Sequence, residues 1–291
     1  MRVRVGCEFG WDTDGAVPTV MIVRPRPDIE PKIVYESRWL GPNVPVREYT
    51  DAFGNICWRF TLPGGPLTVR YDAVVEMPHE ADPVVPDARI HPVEELPDDV
   101  LVHTLPSRLV ESDLMVERAW DMFGSTPQTW ARVQAICDFV HEHITFGYGT
   151  SSPTLTAAQV LDTGKGVCRD FALLAVGLCR AMNIPARYTF GYLPDIDVPV
   201  EDVPMDFASW FEAYLGGRWY TFDARFNVPR VGRIVIGRGR DAVDVALSTS
   251  YGLARLPKFV VWADEITAER PGGPPPEEDA DALEEAARRR P

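Results

Sequence analysis

The segment from Gly164 to Asn183 constrains the chain most. It reads Gly-Lys-Gly-Val-Cys-Arg-Asp-Phe-Ala-Leu-Leu-Ala-Val-Gly-Leu-Cys-Arg-Ala-Met-Asn. The two glycines end a short preceding helix that Thr156 caps. After Val167 the apolar positions 171, 174, 175, 178 and 182 repeat at helical spacing. Asn183 and the nearby Pro185 stop the run. Cys168 therefore opens a helix. The unpaired N–H groups and the dipole there favour a thiolate, so the position predicts a lowered thiol pKa. The same N–H groups can receive an oxyanion during acyl transfer. The bland alternative is a small buried hydrophobe, the usual state of a free cysteine. Cys7, Cys57, Cys137 and Cys179 read that way.

A cysteine nucleophile needs a base and a group to orient it. The segment 208–223 reads as a hairpin whose two-residue Gly216-Gly217 loop fixes the register. Leu215 then faces Arg218, Trp210 faces Asp223, and positions 208 and 223 are diagonal neighbours on one face. A histidine at 208 would be placed to bond Asp223. The residue there is Ala208, and no histidine follows His143. Asp206 and Glu212 share the face of 208 and are candidate substitute bases. Ser209 alternates to the opposite face and is not one.

Before this block, residues 1 to about 80 alternate as strands, with 33–40, 56–62 and 67–77 the clearest. They read as an antiparallel, sandwich-like β-domain. Residues 78–106 are proline-rich and read as a connector. Ser112 is placed to cap a helix through Met122, and Thr126 another with Pro127 at its first position. The segment Gly237-Arg238-Gly239-Arg240 reads as a turn, because it lacks the third glycine of a dinucleotide loop. From Pro271 the chain has no aromatics and is expected to be disordered.

The formal net charge is −14, with no basic stripe. This argues against nucleic acid and against an anionic membrane surface. No apolar run is long enough to cross a bilayer, and the first residues read as a strand rather than a leader. Five scattered cysteines without a Cys-x-x-Cys pair suit reduced thiols, hence a cytoplasmic location, and no metal or cofactor. His141 and His143 point apart on a helix. His79, His91 and His103 lie in or near the connector, from which any could fold back.

Several segments together resemble the transglutaminase-like superfamily, and specifically its bacterial branch with an N-terminal β-domain. Gly166-Val167-Cys168-Arg169-Asp170-Phe171-Ala172 is similar to the nucleophile motif. Ile184-Pro185-Ala186-Arg187-Tyr188 resembles the strand after it. Asp206 to Glu212 resembles the strand that normally holds the catalytic histidine, and Trp219 to Arg225 the strand of the third member. The resemblance implies an α+β fold. An N-terminal antiparallel β-domain with its connector (1–105) precedes a papain-like transglutaminase core (106–268), in which the cysteine helix packs on an antiparallel sheet. A tail (269–291) follows. It makes Cys168 the nucleophile and Asp223 the third member, leaves Ala208 at the histidine position, and puts Trp210 and Arg169 among the substrate-binding residues. Relatives also often carry histidine where Leu173 stands.

The implied chemistry is attack of Cys168 on a peptide or amide carbonyl and resolution of the thioester by water or an amine. With the histidine absent, three readings stay open. The chain is an enzyme that is impaired or uses another base, a non-catalytic peptide- or amide-binding relative, or an active enzyme whose histidine was replaced by hand.

Overall fold

The computed structural model describes residues 1–28, 31–41, 44–199 and 204–267. The alternating N-terminal region forms β1 (Arg2–Thr13), β2 (Val17–Met21), β3 (Lys32–Leu40), β4 (Arg47–Thr50), β5 (Ile56–Leu62) and β6 (Gly65–Glu76). The connector holds α1 (Asp98–Leu101), flanked by 3₁₀ turns at Val93–Glu95 and Val102–Thr104. Then come α2 (Val116–Phe123), α3 (Trp130–His143), β7 (Thr145–Phe146), α4 (Ala157–Thr163), β8 (Lys165–Gly166) and α5 (Cys168–Ala181). The chain continues through β9 (Ala186–Tyr192), β10 (Ala208–Leu215), β11 (Arg218–Phe222), β12 (Ile234–Gly239), β13 (Ser248–Ser250) and β14 (Arg255–Glu265). The tail expected to be disordered from Pro271 lies outside the described residues.

Two antiparallel sheets make the N-terminal unit, ordered β14-β1-β6-β3 and β13-β2-β5-β4. A third, β11-β10-β9-β12, backs α5. A short parallel pair, β7-β8, leads into the cysteine helix. The division at residue 105 describes the order along the chain but not the sheets. The last two strands return to the N-terminal unit, β13 beside β2 and β14 beside β1. At that seam Gly6 faces Trp262. A Cβ on Gly6 would lie 2.3 Å from the indole, so only glycine lets the two strands pair there.

α5 is the core of the second unit. Every residue from Asp170 to Ala181 is buried, against β9 and β10 on one side and α3 and α4 on the other. This explains why its apolar residues run almost all the way round. Thr156 caps α4 with a full capping box, its hydroxyl accepting from Gln159 N while Gln159 Oε1 accepts from Thr156 N. Gly164 (φ 62°) ends α4, and Asn183 (φ 59°) follows α5 in the same left-handed region.

Three local expectations are corrected. Ser112 caps nothing: it starts a 3₁₀ turn, Ser112–Met115, that runs into α2. α3 begins later than the Thr126-Pro127 signal predicts, because Thr129 accepts from Ala131 N and Thr126 instead donates to Phe123 O. Gly237 to Gly239 is the end of β12, not a turn, and Phe190 and Val245 pack where side chains would stand.

Candidate active site

α5 starts at Cys168 because the backbone before it is pinned. The buried carboxylate of Asp170 reaches back to accept from Val167 N at 2.8 Å. Gly166 is required beside it, since a Cβ there would lie 2.6 Å from the Asp170 Cβ. Cys168 keeps partial exposure, whereas the other four cysteines are buried, and all five are free thiols. Its Sγ lies 3.9 Å from the carbonyl oxygen of Phe207, to which the thiol donates.

The expected lowering of the thiol pKa is overturned. Burial pushes Cys168 up to about 11, and the Asp206 carboxylate adds to the rise. Arg225, the Ser209 hydroxyl and the Arg169 N–H favour the thiolate, but do not offset the desolvation. At pH 7 roughly 10⁻⁴ of such a thiol is ionised.

The hairpin register is as expected: Leu215 pairs with Arg218 and Phe211 with Phe222. Ala208 packs with Leu193, Trp210 and Val235. It also lines an open cleft with Tyr148, Asp206, Phe207, Arg225 and Phe226. Asp223 is fully engaged elsewhere. One carboxylate oxygen accepts from the N–H groups of Arg225 and Phe226, and the other pairs with Arg233 at 2.9 Å. Arg233 also bridges to Asp82 and stacks over Trp210. An arginine thus holds the carboxylate that a histidine at 208 would share. Nothing in the sequence pattern marks Arg233, which follows a glycine outside the recognisable motifs.

Other candidates fall into place by their contacts. Trp210 is 1% exposed and packs with Leu193, Ala208 and Val235. Arg169 is tied to Ser151, Ser152 and Asp170 and so anchors the loop before α4. Glu212 is locked between Arg187 and Arg238, which hold its carboxyl below the usual range despite burial, so it is no base for Cys168. Asp206 does stand near the thiol. Ser209 is on the face opposite to 208, as alternation predicts, and its hydroxyl oxygen lies 2.6 Å from that of Tyr188.

None of the histidines bonds Cys168 among the described residues. His141 donates from Nδ1 to the Arg225 carbonyl, His143 bonds Leu161 O, and His79 pairs with Asp197. His103 is buried against Trp219. Among the described residues no group of three or more His, Cys, Asp or Glu could hold a metal ion, and no helix is long and apolar enough to cross a membrane.

A cysteine opening a buried helix, backed by an antiparallel sheet whose hairpin borders the cleft, defines a papain-like core of the transglutaminase type. Residues 118–224 match the model of the Transglutaminase-like superfamily, and this part of the chain is a transglutaminase-like core. Over nearly its whole length the chain is similar in structure to a protein from Cytophaga hutchinsonii named as a "Putative Cysteine Protease". The TM-score is 0.83 at 27% identity, covering 92% of this chain and 91% of that one. In sequence it is 28% identical over 208 residues to an uncharacterized protein of Mycobacterium leprae (68% of this chain, 73% of the relative). It is 29% identical over 215 residues to one of Mycobacterium tuberculosis (67% of this chain, 68% of the relative).

Proposed function

We propose that this protein performs cysteine-dependent acyl chemistry on a peptide or amide carbonyl bound in the cleft beside Ala208, with Cys168 as nucleophile, far more slowly than a complete Cys–His pair. The observation that carries this is the place of Cys168. It is the first residue of α5, partly exposed, while every other cysteine is buried. Sγ attacks the carbonyl carbon and the carbonyl oxygen gains the charge. The N-terminal N–H groups of α5 are the available donors for that oxyanion. The amine then leaves, taking a proton from solvent because position 208 supplies none, and water or a second amine resolves the thioester. The printed name of the Cytophaga hutchinsonii protein agrees with this chemistry. The charge of −14 disfavours nucleic acid and anionic membranes as partners, and the free thiols suit a cytoplasmic setting.

Two observations favour a second reading, a binder without turnover: Asp223 is occupied by Arg233, and the thiol is held protonated. One experiment separates them. Ala208→His supplies a general acid and base, a contribution of roughly 10²–10⁴-fold. On an activated amide or ester, turnover rises by that order and vanishes when Cys168→Ala is added. A folded Ala208→His protein with no gain supports the binder.

A further inference from the structure

The cleft beside Ala208 reaches the thiol through one residue. Phe207 lines it, and the carbonyl oxygen of Phe207 lies 3.9 Å from Cys168 Sγ. Ala208 packs against Leu193, and Phe226 packs on the same cluster. These three line the cleft together with Met205 and Tyr148, and Tyr148 is 38% exposed.

Four charged side chains also border the cleft, two arginines and two aspartates, so their formal charges cancel. Each is engaged within the fold. Arg230 pairs with Asp195 at 3.1 Å. Asp206 accepts from the N–H of Phe207 at 2.7 Å. The Arg225 guanidinium lies over the Phe146 and Phe226 rings at 4.2 and 4.6 Å, and that of Arg230 lies over Phe226 at 4.7 Å. An ionised ligand would exchange its hydration for a lining with no net charge, which is costly. An alkyl chain loses only its contact with water, which is favourable.

We propose that this cleft is the acyl subsite: it takes an uncharged, apolar substituent on the carbonyl that Cys168 attacks, and the small side chain of Ala208 leaves room for it. The proposal rests on Cys168 being the nucleophile, as in the function proposed above. It narrows the substrate to a peptide or amide whose acyl side carries an alkyl group beside the scissile carbonyl. Position 208 then sets how large that group can be.

The test is the rate of Cys168 acylation by four p-nitrophenyl esters: acetate, butyrate, and butyrates ending in a sulfonate or a trimethylammonium group. In each reaction Sγ bonds the acyl carbon, the bond to p-nitrophenolate breaks, and the thiol proton goes to solvent. Peptide mass reads the adduct, and each rate is divided by that of the same ester with N-acetylcysteine. A buried methylene is worth roughly fourfold, so butyrate should exceed acetate by on the order of tenfold. The two charged esters should fall back toward acetate. Ala208→Val fills the cleft and should lower the butyrate-to-acetate ratio several-fold. Phe226→Leu removes the ring from the wall and should lower the same ratio less. A ratio near one in the parent overturns the subsite. So does a ratio unchanged in both variants, or a charged ester that outpaces butyrate. If no ester acylates Cys168, the nucleophile assignment fails and the subsite falls with it, whereas acylation with a flat series overturns the subsite alone.

Discussion

Asp206 is the remaining candidate for a substitute base, and its charge works against the thiol. It lines the cleft with Ala208 and raises the Cys168 pKa. The two roles predict opposite signs for one substitution. Asp206→Asn removes the repulsion, so Cys168 alkylation becomes faster at neutral pH. If Asp206 also accepts the thiol proton during acyl transfer, ester turnover falls in the same variant. Measuring both rates on one preparation distinguishes a carboxylate that merely repels from one that serves as base. Alkylation that slows in Asp206→Asn contradicts the electrostatic assignment. At this scale the sequence showed where Cys168 lies but not its pKa. The helix start is local, carried by Gly166, Val167 and the run after them. The desolvation and the Asp206 charge come from a segment about forty residues away, and no local pattern reports them.

Among the elements, α5, α4 and the hairpin were legible because their signals are short-range: apolar periodicity, a Thr–Gln capping box and a glycine pair at φ 56° and 87°. The starts of α2 and α3 were misread because Ser112 and Thr126 carry capping side chains that the folded chain uses otherwise. Alternation correctly put Ser209 on the face opposite to 208. Which face the cysteine meets depends on how α5 docks, and that is a tertiary fact. The connector was read as irregular, yet its 3₁₀ turn Val102–Thr104 buries His103 edge-on against Trp219, at a ring distance of 5.2 Å. Burial and the nearby Arg180 and Arg187 press its pKa to about 3, so the folded chain holds it neutral. The unfolded chain binds the proton first, near the ordinary value of about 6.5. The stability contribution is therefore fully present above that value and is lost as pH falls toward 3. Urea unfolding midpoints should decline between pH 6.5 and 4, and His103→Leu should flatten that decline. A pH slope unchanged in His103→Leu would show that other groups carry the acid sensitivity.

For the molecule as a whole, the β-domain and the core are one connected structure. β13 and β14 cross back to β2 and β1. Tyr192 donates to Val23 O at 3.0 Å, Arg26 N bonds Val235 O, and Asn55 bonds Arg238 at both its N–H and its carbonyl. The passage from strands to helices along the chain was legible from the shift in periodicity. The return of the last strands was not, since β14 pairs with residues some 250 positions earlier and composition carries no trace of partner choice. The return sets the cleft in context. β12, one edge of the sheet behind α5, is bound to the β-domain, so the sheet that carries position 208 is braced from outside the core.

The most direct measurement is intact and peptide mass after incubation with an activated acyl ester such as p-nitrophenyl acetate. A nucleophile at the start of α5 with no histidine to drive deacylation should hold its acyl group. One acetyl per chain accumulates slowly on Cys168 as a thioester, is removed by hydroxylamine, and is absent in Cys168→Ala. In Ala208→His the adduct turns over instead of accumulating. Acylation of any other residue in preference to Cys168, or none at Cys168 in either protein, would contradict the assignment of Cys168 as the reacting thiol.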